Sequence, residues 1–333
     1  MKSINDVLLS CINLHWLRPD NALWVLSFYQ TFAKEIQLAT NSNNKTLDLG
    51  CGDGTTSYIL LDGVLNKSFD VFHDTQAERA NLKTDTVRSA SGSLEDQKGD
   101  FYNIHTENWK SSLKFDAIPP SHFSWGCDWK DALVQKATDL NIYDKGIVHD
   151  ANSPLPLIDG EVDFVFSTII YWLANPAKVL TDVSRVLKTK GIFAFSCPNE
   201  SITNFTLHSM IDKFNYPELA SLDRGRHENW KRHANKKEYW ESLITNAGFK
   251  IVDYKPFHSS LQIAFGETWI RTLLPAYKVL YQRLLPGHKE IWQEFKDEWV
   301  MEMYRLLLPF TDENWLKSKN NPPLYHAFFC EKQ

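Results

Sequence analysis

Apolar residues recur along this chain in two rhythms, and their order predicts its architecture. Residues 1–40 follow a helical rhythm. Arg18-Pro19-Asp20-Asn21 reads as a helix entrance, with proline at an early position, and Leu23, Trp24, Leu26, Phe28, Tyr29 and Phe32 follow it. That helix either packs against a core sheet or covers a ligand pocket. A strand ends at Leu47-Asp48-Leu49, and Thr55 to Leu61 reads as helix. From Phe123 the rhythms alternate. Strands are expected at Phe123–Asp128, Gly146–Val148, Val162–Ser167, Ile192–Ser196, Phe249–Tyr254 and Tyr325–Cys330. Between them lie a helix around Ala132, Leu133, Val134 and Ala137, and one opened by Asn175-Pro176. The second carries Val179, Leu180, Val183, Val186 and Leu187 at 3.6-type spacing and is expected to stop at Gly191. A further helix is expected to stop at Gly248.

Two stretches interrupt the alternation. Residues 62–122 form an insertion whose stretch 75–114 is polar, with Ser89-Ala90-Ser91-Gly92-Ser93 and Glu95-Asp96-Gln97-Lys98-Gly99-Asp100 in its middle. Loops are expected there. The apolar pieces Phe69-Asp70-Val71-Phe72 and Lys114-Phe115-Asp116-Ala117-Ile118 are expected to pair or pack at its base. Residues 256–319 are helical and aromatic, with Trp269, Leu273, Tyr277, Tyr281, Trp292, Phe295, Trp299, Met303 and Leu306 at spacings of three and four. A lid, a dimer surface and an amphipathic membrane contact all fit that pattern.

The densest chemical signal is Asp48-Leu49-Gly50-Cys51-Gly52-Asp53-Gly54-Thr55. Three glycines in five residues let the backbone turn sharply and approach a ligand. The helix start behind the turn is expected to offer N–H groups to an anion. A dinucleotide fingerprint needs G-x-G-x-x-G, but the third position here is Thr55. GxGxG after an acid instead resembles motif I of the class I S-adenosylmethionine-dependent methyltransferases. That resemblance implies an α/β fold: a Rossmann-like, doubly wound, seven-stranded and mostly parallel sheet. It implies a core of residues 41–255 and 320–333, with 1–40 as a helical cover.

The resemblance also implies site residues. An acid should close the second strand and take the ribose hydroxyls. Asp74 lies at the usual distance from the glycines, but Asp128 is chosen because everything after it falls into family spacing. Asp48, Gly50, Cys51, Gly52 and Gly54 are expected at the methionyl end and Trp129 beside the adenine. Asp150 and Ala151 would read the adenine edge, and Ser167 would lie below the sulfonium. The cofactor expected is S-adenosyl-L-methionine. The run Leu155-Pro156-Leu157-Ile158-Asp159-Gly160 before the fourth strand also matches the family.

Composition narrows the acceptor. In 333 residues the net charge is −5, which gives no electrostatic footprint for nucleic acid. Asn321-Pro322-Pro323-Leu324 lacks the aromatic of a base-amine methylation run. Five scattered cysteines without C-x-x-C suit a reducing compartment and a cytoplasmic location. No apolar run is long enough to span a membrane, and no signal peptide is expected at Met1 to Asp6. A small-molecule acceptor is expected, a sugar or sugar-nucleotide among the candidates, with O-methylation in glycan or natural-product biosynthesis and a homodimer as further expectations. A non-catalytic cofactor-binding scaffold and a nucleic-acid methyltransferase are the alternatives.

Tyr171 and Trp172 fall where related small-molecule enzymes place residues over the methyl group. Arg224, Arg226 and Trp230, in a basic aromatic run that ends at His233, are candidate substrate contacts. His208, His227, His258 and Tyr171 are the candidates for a catalytic role, with His233 as a further histidine near the substrate mouth.

Overall fold

Seven strands form one sheet in the order β5-β4-β1-β6-β7-β9-β8. They are β1 (Thr46–Leu49), β4 (Phe123–Asp128), β5 (Tyr143–Val148), β6 (Val162–Ser167), β7 (Leu187–Pro198), β8 (Phe249–Ser259) and β9 (Pro323–Lys332). Two short strands, β2 (Val64–Leu65) and β3 (Phe115–Ala117), pair apart from it. The computed structural model describes residues 2–69, 71, 105–217, 226–270, 273, 276, 289–312 and 320–333. Asp74, Arg224, most of the polar run after residue 71 and residues 277–288 lie outside them.

The first five strands of that order run parallel, and β9 is antiparallel to both β7 and β8. The apolar runs make sense of this. A parallel strand is covered on both faces, and in β1 all four residues are buried, Thr46 and Asp48 included. On one face Phe28 and Phe32 of the second helix, α2 (Pro19–Thr40), meet Phe166, Phe257 and Phe329. On the other, Val179, Val183, Trp240 and Ile244 pack with Leu47, Leu49, Val165 and Phe195. The first helix, α1 (Ile4–Leu14), is capped by Ser3, whose hydroxyl accepts from Asp6 N–H. The helix Lys289–Leu307 touches the turn that follows α1: Trp299 Nε1 donates to Trp16 C=O at 2.8 Å.

Three sequence expectations shift. Gly191 does not end the helix Pro176–Val186; the chain is already strand at Leu187, which pairs with Val162. A Cβ on Gly191 would lie 2.9 Å from Leu187 Cδ2, so this glycine serves close packing inside β7. Phe115 and Ala117 pair with Leu65 and Val64 rather than with the piece around Phe69. β8 continues beyond Tyr254 to Ser259, so the helix Ser260–Ala264 opens the connection to β9.

Candidate functional site

The carboxyl ends of β1, β4, β6, β7 and β8 and the start of β9 all lie at one edge of the sheet. That edge is where open α/β sheets place ligands. β1 pairs with β4 on one side and β6 on the other, so Asp48 sits between Gly126 and Phe166. Asp128, fifty-odd residues from where the glycine spacing alone puts the ribose acid, thus ends the strand beside the glycine turn.

The turn itself is held by its neighbour. Gly50 and Cys51 N–H both donate to Cys127 C=O, at 2.7 and 3.0 Å, and Gly54 N–H donates to Cys51 C=O. Gly52 N–H donates to Asp128 Oδ2 at 3.1 Å, and Lys130 N–H to Asp128 Oδ1 at 3.1 Å. All three glycines have positive φ, and their spaces differ. A Cβ on Gly50 would meet the Ile169 side chain at 2.5 Å, and one on Gly54 the Ala137 backbone at 3.0 Å. One on Gly52 would meet nothing within 4 Å. The turn is packed at both ends and open in the middle. That opening, beside a half-buried carboxylate at the neighbouring strand end, fits a nucleoside-bearing cofactor.

Several expected groups prove to be engaged inside the protein. The short helix α3 (Thr55–Leu60) does not leave its first N–H free: Asp53 Oδ1 accepts from Thr55 N–H at 3.0 Å and from its hydroxyl at 2.6 Å. Asp48 is 2% exposed, and its Oδ2 accepts from Ser57 Oγ at 2.5 Å and from Tyr143 OH at 2.7 Å. Both bonds land on one oxygen. Burial pushes this carboxyl up to about 6, against the two hydroxyl donors that hold it down. Burial also raises Asp128, opposed by its N–H partners. Ser167 is fully buried; its hydroxyl donates to Leu49 C=O at 2.7 Å and ties β6 to β1 instead of facing a ligand. Cys51 is buried, with Sγ 3.5 Å from Gly52 C=O.

The remaining expected cofactor residues lie on the adjoining loops. Trp129 is half-buried under Lys130, whose Nζ lies 5.2 Å from the ring centroid. Asp150 Oδ1 accepts from Asn152 N–H and its side-chain amide, and Ala151 is buried. Asn152 in turn accepts from Ala174 N–H at 2.8 Å, joining the loops after β5 and β6.

Beside the turn, the structure gathers an aromatic cavity of about 170 Å³. Trp24, Tyr171, Trp172, Trp230 and Tyr325 supply its rings, and Asp20, His258 and Glu267 its titratable groups. Trp230 Nε1 donates to Tyr325 OH at 3.2 Å, and the Tyr171 ring lies 6.0 Å from that of Tyr325. Ile169, which packs on Gly50, directly precedes the turn Ile170–Trp172 that carries Tyr171. Tyr171, Trp172, Trp230 and His258, expected from sequence, therefore come together. His233 is buried, its Nε2 has no hydrogen-bond partner among the described residues, it does not line this cavity, and burial shifts it down. The side chains of His208, Arg226 and His227, like Arg224, lie outside the described residues.

Sequence reasoning missed Tyr143 and Ser57 as partners of Asp48, and Tyr325, Asp20 and Glu267 as cavity residues. Only Asp20 and Trp24 carried a signal, four residues apart on one face of α2. His15 was also missed. Burial pushes it down to about 4 while Asp53 and Asp20 oppose that shift, which puts the α1–α2 turn near the glycine turn.

Strand order, glycine turn and acidic strand end are together similar to those of class I S-adenosylmethionine-dependent methyltransferases. A family model described as a methyltransferase domain matches residues 113–195. That match begins within the last ten residues of the first interruption and leaves out the glycine turn, which strand pairing brings alongside. Dimethylglycine N-methyltransferase of Parasynechococcus marenigrum (strain WH8102) is 34% identical over 90 residues, 26% of this chain and 32% of that protein. The chain thus spans about a third of the length of that curated relative, at 32%. Among solved structures, a candidate sarcosine dimethylglycine methyltransferase from Galdieria sulphuraria aligns with TM-score 0.45 and 12% identity, over 94% of this chain and 87% of that one. An S-adenosylmethionine-dependent methyltransferase from Mesorhizobium loti aligns with TM-score 0.41 and 12% identity, over 91% and 100%. Among the described residues no helix is long and apolar enough to cross a membrane, and no cluster suits a metal ion.

Proposed function

We propose that this chain is an S-adenosylmethionine-dependent methyltransferase acting on a small-molecule acceptor. The observation that carries the reading is an aromatic cavity lined by Tyr171, two residues after the Ile169 side chain that packs on Gly50 of the glycine turn. The cofactor supplies an electrophilic methyl group on a sulfonium. The open turn at Gly52 and the Asp128 carboxylate would hold its nucleoside end, with Trp129, Asp150 and Ala151 around the adenine. The free oxygen of Asp48 would serve the ammonium. The protein's own work is then to position the acceptor and exclude water.

Cavity size limits the acceptor. An apolar cavity of about 150 Å³ holds benzene, so about 170 Å³ suits a small molecule or the head group of a larger one. Five rings with the Glu267 carboxyl favour an aminic nitrogen, because ring quadrupoles attract the positive charge it develops, whereas Asp20 is already held by Arg18. The curated relative is named for a nitrogen acceptor too. A hydroxyl acceptor from glycan or natural-product biosynthesis is the second reading, favoured by the neutral His258 in the same cavity. All five cysteines are buried and free, which supports placing this activity in the cytoplasm.

The test is transfer of a labelled methyl group to two acceptor panels, small amines including dimethylglycine and small hydroxyl compounds. Transfer to amines is expected. Transfer to hydroxyls alone would select the second reading, and cofactor binding without transfer to either panel would favour a scaffold.

A further inference from the structure

His258 adopts φ +52°, a left-handed backbone that few residue types other than glycine enter without cost. Such strain persists only where the surroundings over-determine it. Here they do: Ser259 and Gln262 form a capping box immediately after it, and the ring lies 4.6 Å from that of Trp24.

We propose that His258 is the proton acceptor of the aromatic cavity, held as its Nδ1–H tautomer by Ser27 and Gln262 so that Nε2 offers its lone pair to the acceptor's N–H or O–H. This deepens the methyltransferase reading and rests on it. The tautomer follows from counting protons. Gln262 Oε1 accepts from Ser259 N–H at 2.8 Å, which fixes the amide's orientation, so Nε2 is the end that donates to Ser27 Oγ at 3.0 Å. Ser27 Oγ also lies 3.0 Å from Leu23 C=O and 2.8 Å from His258 Nδ1. A hydroxyl has one proton and two lone pairs, and a carbonyl only accepts. The serine proton therefore goes to Leu23, one lone pair takes the Gln262 amide, and the other needs a donor, which is Nδ1–H. The neutral ring then carries its free lone pair on Nε2.

Placement agrees. His258 lines two cavities, the aromatic one and an outer one of about 460 Å³, and Ser27 lines only the outer. Nε2, the ring nitrogen not bonded to Ser27, has no hydrogen-bond partner among the described residues. Titratable groups around it are Asp20 from α2, Tyr171, Glu267 and Tyr325 in the aromatic cavity, and Tyr254 and Lys255 in the outer one. Burial pulls His258 down to about 3, so its lone pair remains available well below neutral pH. In the step itself the acceptor heteroatom gains a methyl group and loses one proton. That proton moves to Nε2 and then to solvent, while the electron pair of the broken carbon–sulfur bond stays on sulfur.

Nitrogen-15 spectra of the full chain labelled at histidine test the tautomer without cofactor or acceptor. His258 should show a protonated Nδ1 and a bare Nε2, and Ser27→Ala should move the proton toward Nε2. A protonated Nε2 in the unmodified chain overturns the proposal. In the transfer assay, His258→Asn, which tolerates the left-handed backbone, should lower kcat about 100-fold with S-adenosylhomocysteine affinity unchanged. Ser27→Ala should also lower kcat, and Ser27→Thr should restore it. Unchanged kcat in His258→Asn overturns the role. A chain that transfers no methyl group while His258 carries Nδ1–H fails the methyltransferase reading, and the tautomer stands.

Discussion

At the scale of single residues, two buried groups pull the pH dependence of stability in opposite directions. His258 is a base shifted down from 6.5 to about 3. Its unfolded form binds a proton first, so the stability it contributes is complete above about 6.5 and is lost as pH falls toward 3. Asp48 is an acid shifted up from 3.8 to about 6. Here the folded form holds the proton longer, so stability is greatest below 3.8 and is lost as pH rises through 6. Each contributes a slope of up to about 1.4 kcal/mol per pH unit within its window. Between roughly pH 4 and 6 they oppose each other. Asp48→Asn should therefore steepen the loss of stability on acidification, and His258→Asn should flatten it, as read from denaturation midpoints across that range. Identical slopes in both variants would contradict the burial described. Neither shift was legible in the sequence: Ser57, Tyr143 and Ser27 reach these groups only through the fold.

Among elements, the glycine turn divides into packed and open positions. Gly50→Ala would drive a methyl group into Ile169 at a backbone φ of +87°, whereas Gly52→Ala meets open space at φ +56°. Overpacking of this kind costs about 1–3 kcal/mol, so Gly50→Ala should lower the denaturation midpoint by clearly more than Gly52→Ala does. Equal losses would mean that Ile169 yields freely. The strand and helix alternation that places this turn was readable because β6 carries the apolar run Phe164-Val165-Phe166 and β1 carries Leu47 and Leu49, as expected of strands covered on both faces. Boundaries were less readable. Leu187 belongs to the helical stripe by spacing but pairs with Val162, and Lys255-Pro256-Phe257-His258 lacks a strand's composition although it pairs with β9.

For the molecule as a whole, the sheet collects at one edge residues from positions 20 to 325 of the chain. The half of the site on the glycine turn and Asp128 was legible, because it follows from a local motif and family spacing. The aromatic cavity was legible only in Tyr171, Trp172, Trp230 and His258. Trp24 read first as core, with a pocket cover as the alternative, and Tyr325 lies inside a buried strand whose edge position depends on the order β7-β9-β8. The central claim is that the open middle of the turn is a cofactor site. Calorimetric titration with S-adenosylhomocysteine, with NAD as control, tests it on the unmodified chain and on Gly52→Val. The account predicts binding of S-adenosylhomocysteine and not NAD by the unmodified chain, and loss of that binding in a folded Gly52→Val variant. Undiminished binding in the variant, or none in the unmodified chain, would contradict it.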